Sequence, residues 1–147
     1  MAFFLKKYGF ITVDLEHQNY TNANLASDDF QAAGDNELIN TTYRSVTNVK
    51  IGAEFRYSFL RFRAGFATVG DPFVSGLDDL DRSRQIGSLG VGFNFGKYFF
   101  DISHTRTTFD ESLSSYTLDG NNGLPANPVS ITENSMNSTR LSLGINF

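Results

Sequence analysis

The stretch Asn48-Val49-Lys50-Ile51-Gly52-Ala53-Glu54-Phe55-Arg56-Tyr57, continued after Ser58-Phe59 by Leu60-Arg61-Phe62-Arg63-Ala64-Gly65-Phe66, decides the fold. Successive side chains of a strand point to opposite faces, so strict alternation marks a two-faced strand. Val49, Ile51, Ala53, Phe55 and Tyr57 make one face apolar; Lys50, Gly52, Glu54 and Arg56 make the other polar or small. The second run repeats the pattern, with Leu60, Phe62, Ala64 and Phe66 opposed to Arg61, Arg63 and Gly65. A two-residue turn at Ser58-Phe59 predicts the pairs Tyr57 with Leu60, Phe55 with Phe62 and Ala53 with Ala64. Apolar then meets apolar. On the other face Glu54 meets Arg63, an opposite-charge pair, and Arg56 meets Arg61.

The same alternation recurs along the chain. Ile11, Val13 and Leu15 oppose Thr12, Asp14 and Glu16 in a run from Tyr8 to Tyr20. Leu89, Val91, Phe93 and Phe95 oppose Ser88, Gly90, Gly92 and Asn94 in a run from Gln85 to Phe95. Tyr98, Phe100 and Ile102 oppose Asp101, Ser103, Thr105 and Thr107 in a run from Tyr98 to Phe109. A tight turn at Gly96-Lys97 predicts Phe95 opposite Tyr98, Phe93 opposite Phe100, Val91 opposite Ile102 and Gly92 opposite Asp101. A last run starts near Met136 and ends with Leu141, Leu143, Ile145 and Phe147 alternating with Arg140, Ser142, Gly144 and Asn146. The expected fold class is therefore all-β, an antiparallel up-and-down meander of about six strands.

Composition narrows the setting. The chain has 147 residues, 19% charged and 40% hydrophobic, which suits one ordered domain spanning 1–147. No run of about 18 apolar residues exists, so no transmembrane helix is predicted; barrel strands never show such a run. A formal net charge of −4 gives no reason to expect nucleic-acid binding. There is no Cys, which removes disulfides and thiolate metal sites.

Connections alternate between tight and long. The tight turns carry Tyr57, Phe59, Phe95 and Tyr98; the long polar connections run from Thr21 to Thr47, Gly70 to Arg84 and Asp110 to Ser135. Outer-membrane barrels have short periplasmic turns, long extracellular loops and aromatic girdles. The expectation is thus part of a transmembrane β-barrel. A soluble sandwich or a lipocalin-like barrel accounts for the alternation too, with one face as core. It accounts less well for the terminal Phe147 and for small residues beside charged ones on the polar face.

The stretches Tyr8 to Glu16 with Asn19-Tyr20-Thr21-Asn22, the hairpin Asn48 to Phe66, Asp71-Pro72, and Ser88 to Phe93 with Tyr98 to Ser103 together resemble the C-terminal portion of FadL/TodX-type outer-membrane transporters, in a Bacteroidetes-like branch. The resemblance implies a barrel of about fourteen strands with an N-terminal hatch, through which hydrophobic compounds, long-chain fatty acids above all, cross the outer membrane. It implies capture at the extracellular face and hatch-controlled release. Neither hatch nor earlier strands match here, and Phe3-Phe4-Leu5 precedes Lys6-Lys7, the reverse of a signal peptide. The chain is therefore expected to be the C-terminal segment of a barrel, an incomplete and open wall, because about six strands enclose too little space. The alternative is a structural or adhesive outer-membrane barrel with no transport role.

The residues expected to face the lumen are Asp14, Glu16, Lys50, Glu54, Arg56, Arg61, Arg63, Asp101 and Arg140. They read either as a polar pathway, with Arg suited to a fatty-acid carboxylate, or as a charge ladder that fills the lumen. Leu141, Leu143, Ile145 and Phe147 form the expected C-terminal signal for the barrel-assembly machinery. The other partners expected are outer-membrane lipids and a hydrophobic small-molecule ligand, with no nucleic acid. No catalytic residue, cofactor or metal is expected. His17 and His104 stand beside no nucleophile. Asp71, Asp78, Asp79 and Asp81 read as a solvated loop without EF-hand spacing, and Asn134 to Asn137 also reads as loop.

Overall fold

The computed structural model describes residues 1–26, 33–76, 80–114 and 129–145. It is a single antiparallel sheet of seven strands in sequence order, an up-and-down meander that does not close on itself. The strands are β1 Ala2–Phe4, β2 Gly9–Asn19, β3 Ser45–Tyr57, β4 Leu60–Val69, β5 Arg84–Asn94, β6 Tyr98–Ser114 and β7 Val129–Ile145. An α-helix, α1 Ala33–Thr42, lies between β2 and β3.

The registers follow from the faces. In the β3–β4 hairpin Tyr57 lies opposite Leu60, Phe55 opposite Phe62, Ala53 opposite Ala64, Glu54 opposite Arg63 and Arg56 opposite Arg61. In the β5–β6 hairpin Phe93 meets Phe100, Val91 meets Ile102 and Gly92 meets Asp101. Phe95 and Tyr98 are joined by a backbone bond at the turn, N to O 2.9 Å. A slip of one residue would throw every apolar side chain onto the polar face, which is why this level of detail is readable from the pattern. Positive φ at Ser58 (55°) and Gly96 (80°) closes the two tight turns. The turns dock on each other: the Phe59 carbonyl accepts from Asn94 N at 2.8 Å, and the Phe59 and Phe95 rings stack at 5.4 Å.

Four features depart from the sequence reading. There are seven strands, because Ala2–Phe4 folds back on β2 through a 3₁₀ turn at Lys6–Tyr8. That reversal needs Lys6 at φ 53° and Gly9 at φ 141°. A Cβ on Gly9 would overlap the Glu54 carbonyl, so only glycine lets β2 start this close to β3. The second departure is α1, in the stretch read as a loop; the Asn36 side chain brackets Leu25, accepting from its N–H (2.7 Å) and donating to its carbonyl (3.0 Å). Third, β6 and β7 run on well past the expected ends, pairing Ser114 with Val129. Fourth, Asn134 to Asn137 therefore lies within β7 rather than in a loop. Polar Ser, Thr, Asn and Glu residues dominate this extension, so hydropathy gives no sign of strand there.

The small core sits at the long-connection end. Val46, Asn48, Asp71 and Leu80 are buried there, and Gly70 to Ser75 pack against the start of β3. Asn48 Oδ1 accepts from Gly70 N, and the Asp71 carboxylate accepts from Phe73 N and Arg82 N. Arg44 donates to the Asp71 carbonyl and to Ser75. Asp71 is thus a loop-building residue. Asp81 accepts from Ser83 N, while Asp78 and Asp79 lie outside the described residues.

Candidate functional site

All nine residues expected to line the lumen share one face of the sheet. The registers place Asp14 opposite Lys50, Glu54 opposite Arg63, Arg56 opposite Arg61, Gly92 opposite Asp101, and Ser103 opposite Arg140. At the centre, Glu54 is only 7% exposed. Its carboxylate accepts from Arg56 Nε at 2.5 Å and from Arg63 Nε at 2.6 Å. Arg63 Nη1 also donates to Asp101 Oδ1 at 2.5 Å. Gly92 makes room for this, since a Cβ there would meet the Asp101 carboxylate. A second, looser pair joins Lys50 to Glu16 at 3.6 Å.

The cluster does not balance. Arg56, Arg61 and Arg63 stand against Glu54 and Asp101, and Arg61 makes no ion pair among the described residues. Arg61 therefore projects an uncompensated guanidinium onto the polar face, with Arg56 directly across from it. Arg140 and Asp14 likewise form no ion pair among the described residues. Beyond the cluster runs a lane of small side chains: Thr12, Gly52, Gly65, Ser88, Thr105 and Ser138 occupy one rung across six strands. Phe4, Phe10, Phe99 and Phe109 interrupt the polar face. Phe10 lies 5.7 Å from the Arg56 guanidinium, and the Phe99 ring covers Gly144.

The other face is the reverse of a soluble protein's core. Ile11, Leu15, Ile51, Phe55, Phe62, Phe66, Leu89, Ile102, Leu141 and Leu143 all point there and are all exposed. Along β4 the apolar Phe62, Ala64 and Phe66 are exposed, whereas Arg61, Arg63, Gly65 and Ala67 on the polar face are partly covered. The burial sequence is inside out. Leu141, Leu143 and Ile145 continue this apolar face to the last strand; Phe147 lies outside the described residues.

No family model, curated protein or solved structure matches the chain.

The apolar face has an oblique outline. Toward the long connections it ends at Leu15 on β2, Val49 on β3, Phe66 on β4, Leu89 on β5, Ile102 on β6 and Leu141 on β7. Leu15 and Val49 share a rung, then the edge drops one rung at each of β4, β5 and β6, and holds at β7. Three rungs are about 20 Å along the strands, and β2 to β7 is about 24 Å across. The edge therefore lies at about 40° to the rungs. The opposite edge descends in the same sense, from Gly9 on β2 to Tyr57 and Leu60, then to Tyr98 and Ile145. His17 and His104 mark the first polar position above the edge on their strands, and each Nδ1 bonds a neighbouring threonine, Thr47 at 3.1 Å and Thr139 at 2.9 Å. Nothing in local sequence announces this slant; it emerges only when the registers are laid side by side.

Proposed function

We propose that the chain is one wall of a bacterial outer-membrane β-barrel that passes hydrophobic small molecules, long-chain fatty acids among them, in the manner of FadL/TodX-type transporters. The observation that carries the reading is the inverted face pattern with its oblique band. Fully burying a Leu, Ile or Phe is worth about 1.5–3 kcal/mol. Ten such side chains at roughly half exposure forfeit on the order of 10 kcal/mol, comparable to a whole domain's net stability. Lipid removes that cost, and strands tilted 35–45° in a barrel require a flat bilayer to cut the sheet at that angle. The slant of about 40° agrees. An open sheet leaves strand edges unpaired, which in a bilayer costs several kcal/mol per group, so β7 and the bare upper part of β2 require further strands to complete the barrel.

On the inner side, Arg61 is the residue proposed to receive a ligand carboxylate as it moves along the small-residue lane beside the Glu54–Arg63–Asp101 cluster. Leu141, Leu143, Ile145 and Phe147 serve as the assembly signal. The test is uptake of a labelled long-chain fatty acid by cells that export the complete barrel of which this chain forms one wall. Uptake above the empty-vector level that falls several-fold in Arg61→Gln supports transport. Insertion without uptake overturns it and favours the adhesive barrel. One observation favours that second reading: the β6–β7 hairpin continues five residues past β5, so a polar ribbon stands about 17 Å clear of the sheet.

A further inference from the structure

The oblique apolar face carries one cation. Arg106 of β6 is the only Lys or Arg that any strand points to that side among the described residues. Its cross-strand neighbours are Gly87 and Asn137, and it makes no ion pair among the described residues. It stands above the edge of the apolar band, where Ile102 is the last apolar residue of β6 and His104 the next position outward.

Arg106 also stands at the head of a trough. A hollow of about 480 Å³ on this face is floored by Ala53, Ala64 and Gly87, walled by Phe66 and Leu89, and rimmed by His104 and Arg106. A second hollow of about 470 Å³ shares Ala53, Ala64 and Leu89 and continues toward Phe55 and Phe62. The path from Arg106 to Phe55 crosses three strand spacings and two rungs, about 14 Å in each direction. It descends toward lower-numbered strands, whereas the band edge descends toward higher-numbered ones. The trough thus runs close to perpendicular to the edge, along the direction an acyl chain takes when the edge is the bilayer surface.

We propose that this trough and Arg106 form a binding site for an anionic, phosphate-bearing membrane lipid, one acyl chain in the trough and its phosphate on the Arg106 guanidinium, with His104 at its side. The inference rests on the lipid-facing reading of the apolar face and adds a lipid class and an address to it. Guanidinium is the natural partner: its planar fork pairs with phosphate oxygens bidentately. The apolar hollows hold a chain without hydrogen-bond demands, and the nearest carboxylates of this face on β6 and β7, Asp110 and Glu133, stand four residues further out and form no ion pair with Arg106.

The test is native mass spectrometry of the full chain released from detergent micelles doped with dipalmitoyl phosphatidate or dipalmitoyl phosphatidylcholine. The expected result is at least fivefold greater retention of phosphatidate, falling to the phosphatidylcholine level in Arg106→Gln and largely kept in Arg106→Lys. Arg84→Gln, on the polar face, leaves retention unchanged. Ala64→Phe, which fills the trough, lowers retention of the dipalmitoyl lipid but not of dihexanoyl phosphatidate. Equal retention of both lipids by an inserted protein, full retention by Arg106→Gln, or a dimer that excludes lipid overturns this site while leaving the barrel wall standing. Recovery of a monomer in detergent-free buffer overturns both.

Discussion

Glu54→Gln is the most informative single change on the polar face. The Glu54 side chain is 8% exposed, but its partners Arg56 and Arg63 are 45% and 39% exposed. A fully buried pair costs about 3–5 kcal/mol to break, and an exposed one about 0.2–1 kcal/mol. The pair here lies between, since the carboxylate is dry and the guanidiniums reach solvent. Gln keeps the shape and one accepting oxygen, but its amide then aims a donor at the second guanidinium. One charge-assisted bond is lost and the second weakened, for a net cost of about 2 kcal/mol, some thirtyfold in the folding equilibrium. The assay is urea unfolding of the protein refolded into vesicles, followed by circular dichroism and extrapolated linearly. Asp101→Asn removes only the Arg63 Nη1 contact and is expected to cost about 1 kcal/mol, with the double variant less destabilised than the sum, because both carboxylates share Arg63. Glu16→Gln breaks a pair at 3.6 Å between half-exposed partners and is expected to cost under about 0.5 kcal/mol, vanishing in high salt. A Glu54→Gln protein within about 0.5 kcal/mol of the parent, or an effect that salt abolishes as it does for Glu16, would refute the reasoning.

Three further outcomes follow from the same geometry. Phe62→Arg places a charge inside the apolar band and is expected to cost about 2–4 kcal/mol or to block insertion, read as loss of the heat-modifiable folded band on a gel, whereas Thr105→Arg on the polar face inserts normally. Gly9→Ala drives a methyl into the Glu54 carbonyl at a positive φ and is expected to lower stability by at least about 2 kcal/mol, measured as a shifted urea midpoint with unchanged slope. Gly92→Ala displaces the Asp101 carboxylate from Arg63; a cost of about 1 kcal/mol that disappears in an Asp101→Asn background is the expected double-variant result.

The hairpins were legible because two constraints coincide in them. The two tight turns fix the offset, and the alternation of Phe, Val, Ile and Ala with Arg, Glu and Gly admits one register only. The shared face of the nine charged residues was legible for the same reason. The Arg63–Asp101 bridge was not, because it needs β4 beside β5 and β5 beside β6, and the glycine that leaves space for it is silent in sequence. β1 was hidden by its length: Ala2–Phe4 shows no alternation, and the reversal depends on backbone angles at Lys6 and Gly9. The extension of β6 and β7 was hidden by composition, since Ser-, Thr- and Asn-rich strands carry no hydrophobic period. Arg106 escaped notice because a lone charge at the end of an alternating run looks like the start of a loop; its meaning appears only against the slanted edge of the band.

The central claim is that the apolar face meets lipid. The chain has no cysteine, so single Cys probes can be walked along β4 without background. A fluorophore at Phe62, Ala64 or Phe66 is compared with one at Arg61, Arg63 or Ala67, in vesicles containing brominated lipids. Strong quenching is expected at the three apolar-face positions and little at the other three, alternating with period two. Uniform weak quenching, with all six positions open to aqueous iodide, would contradict it.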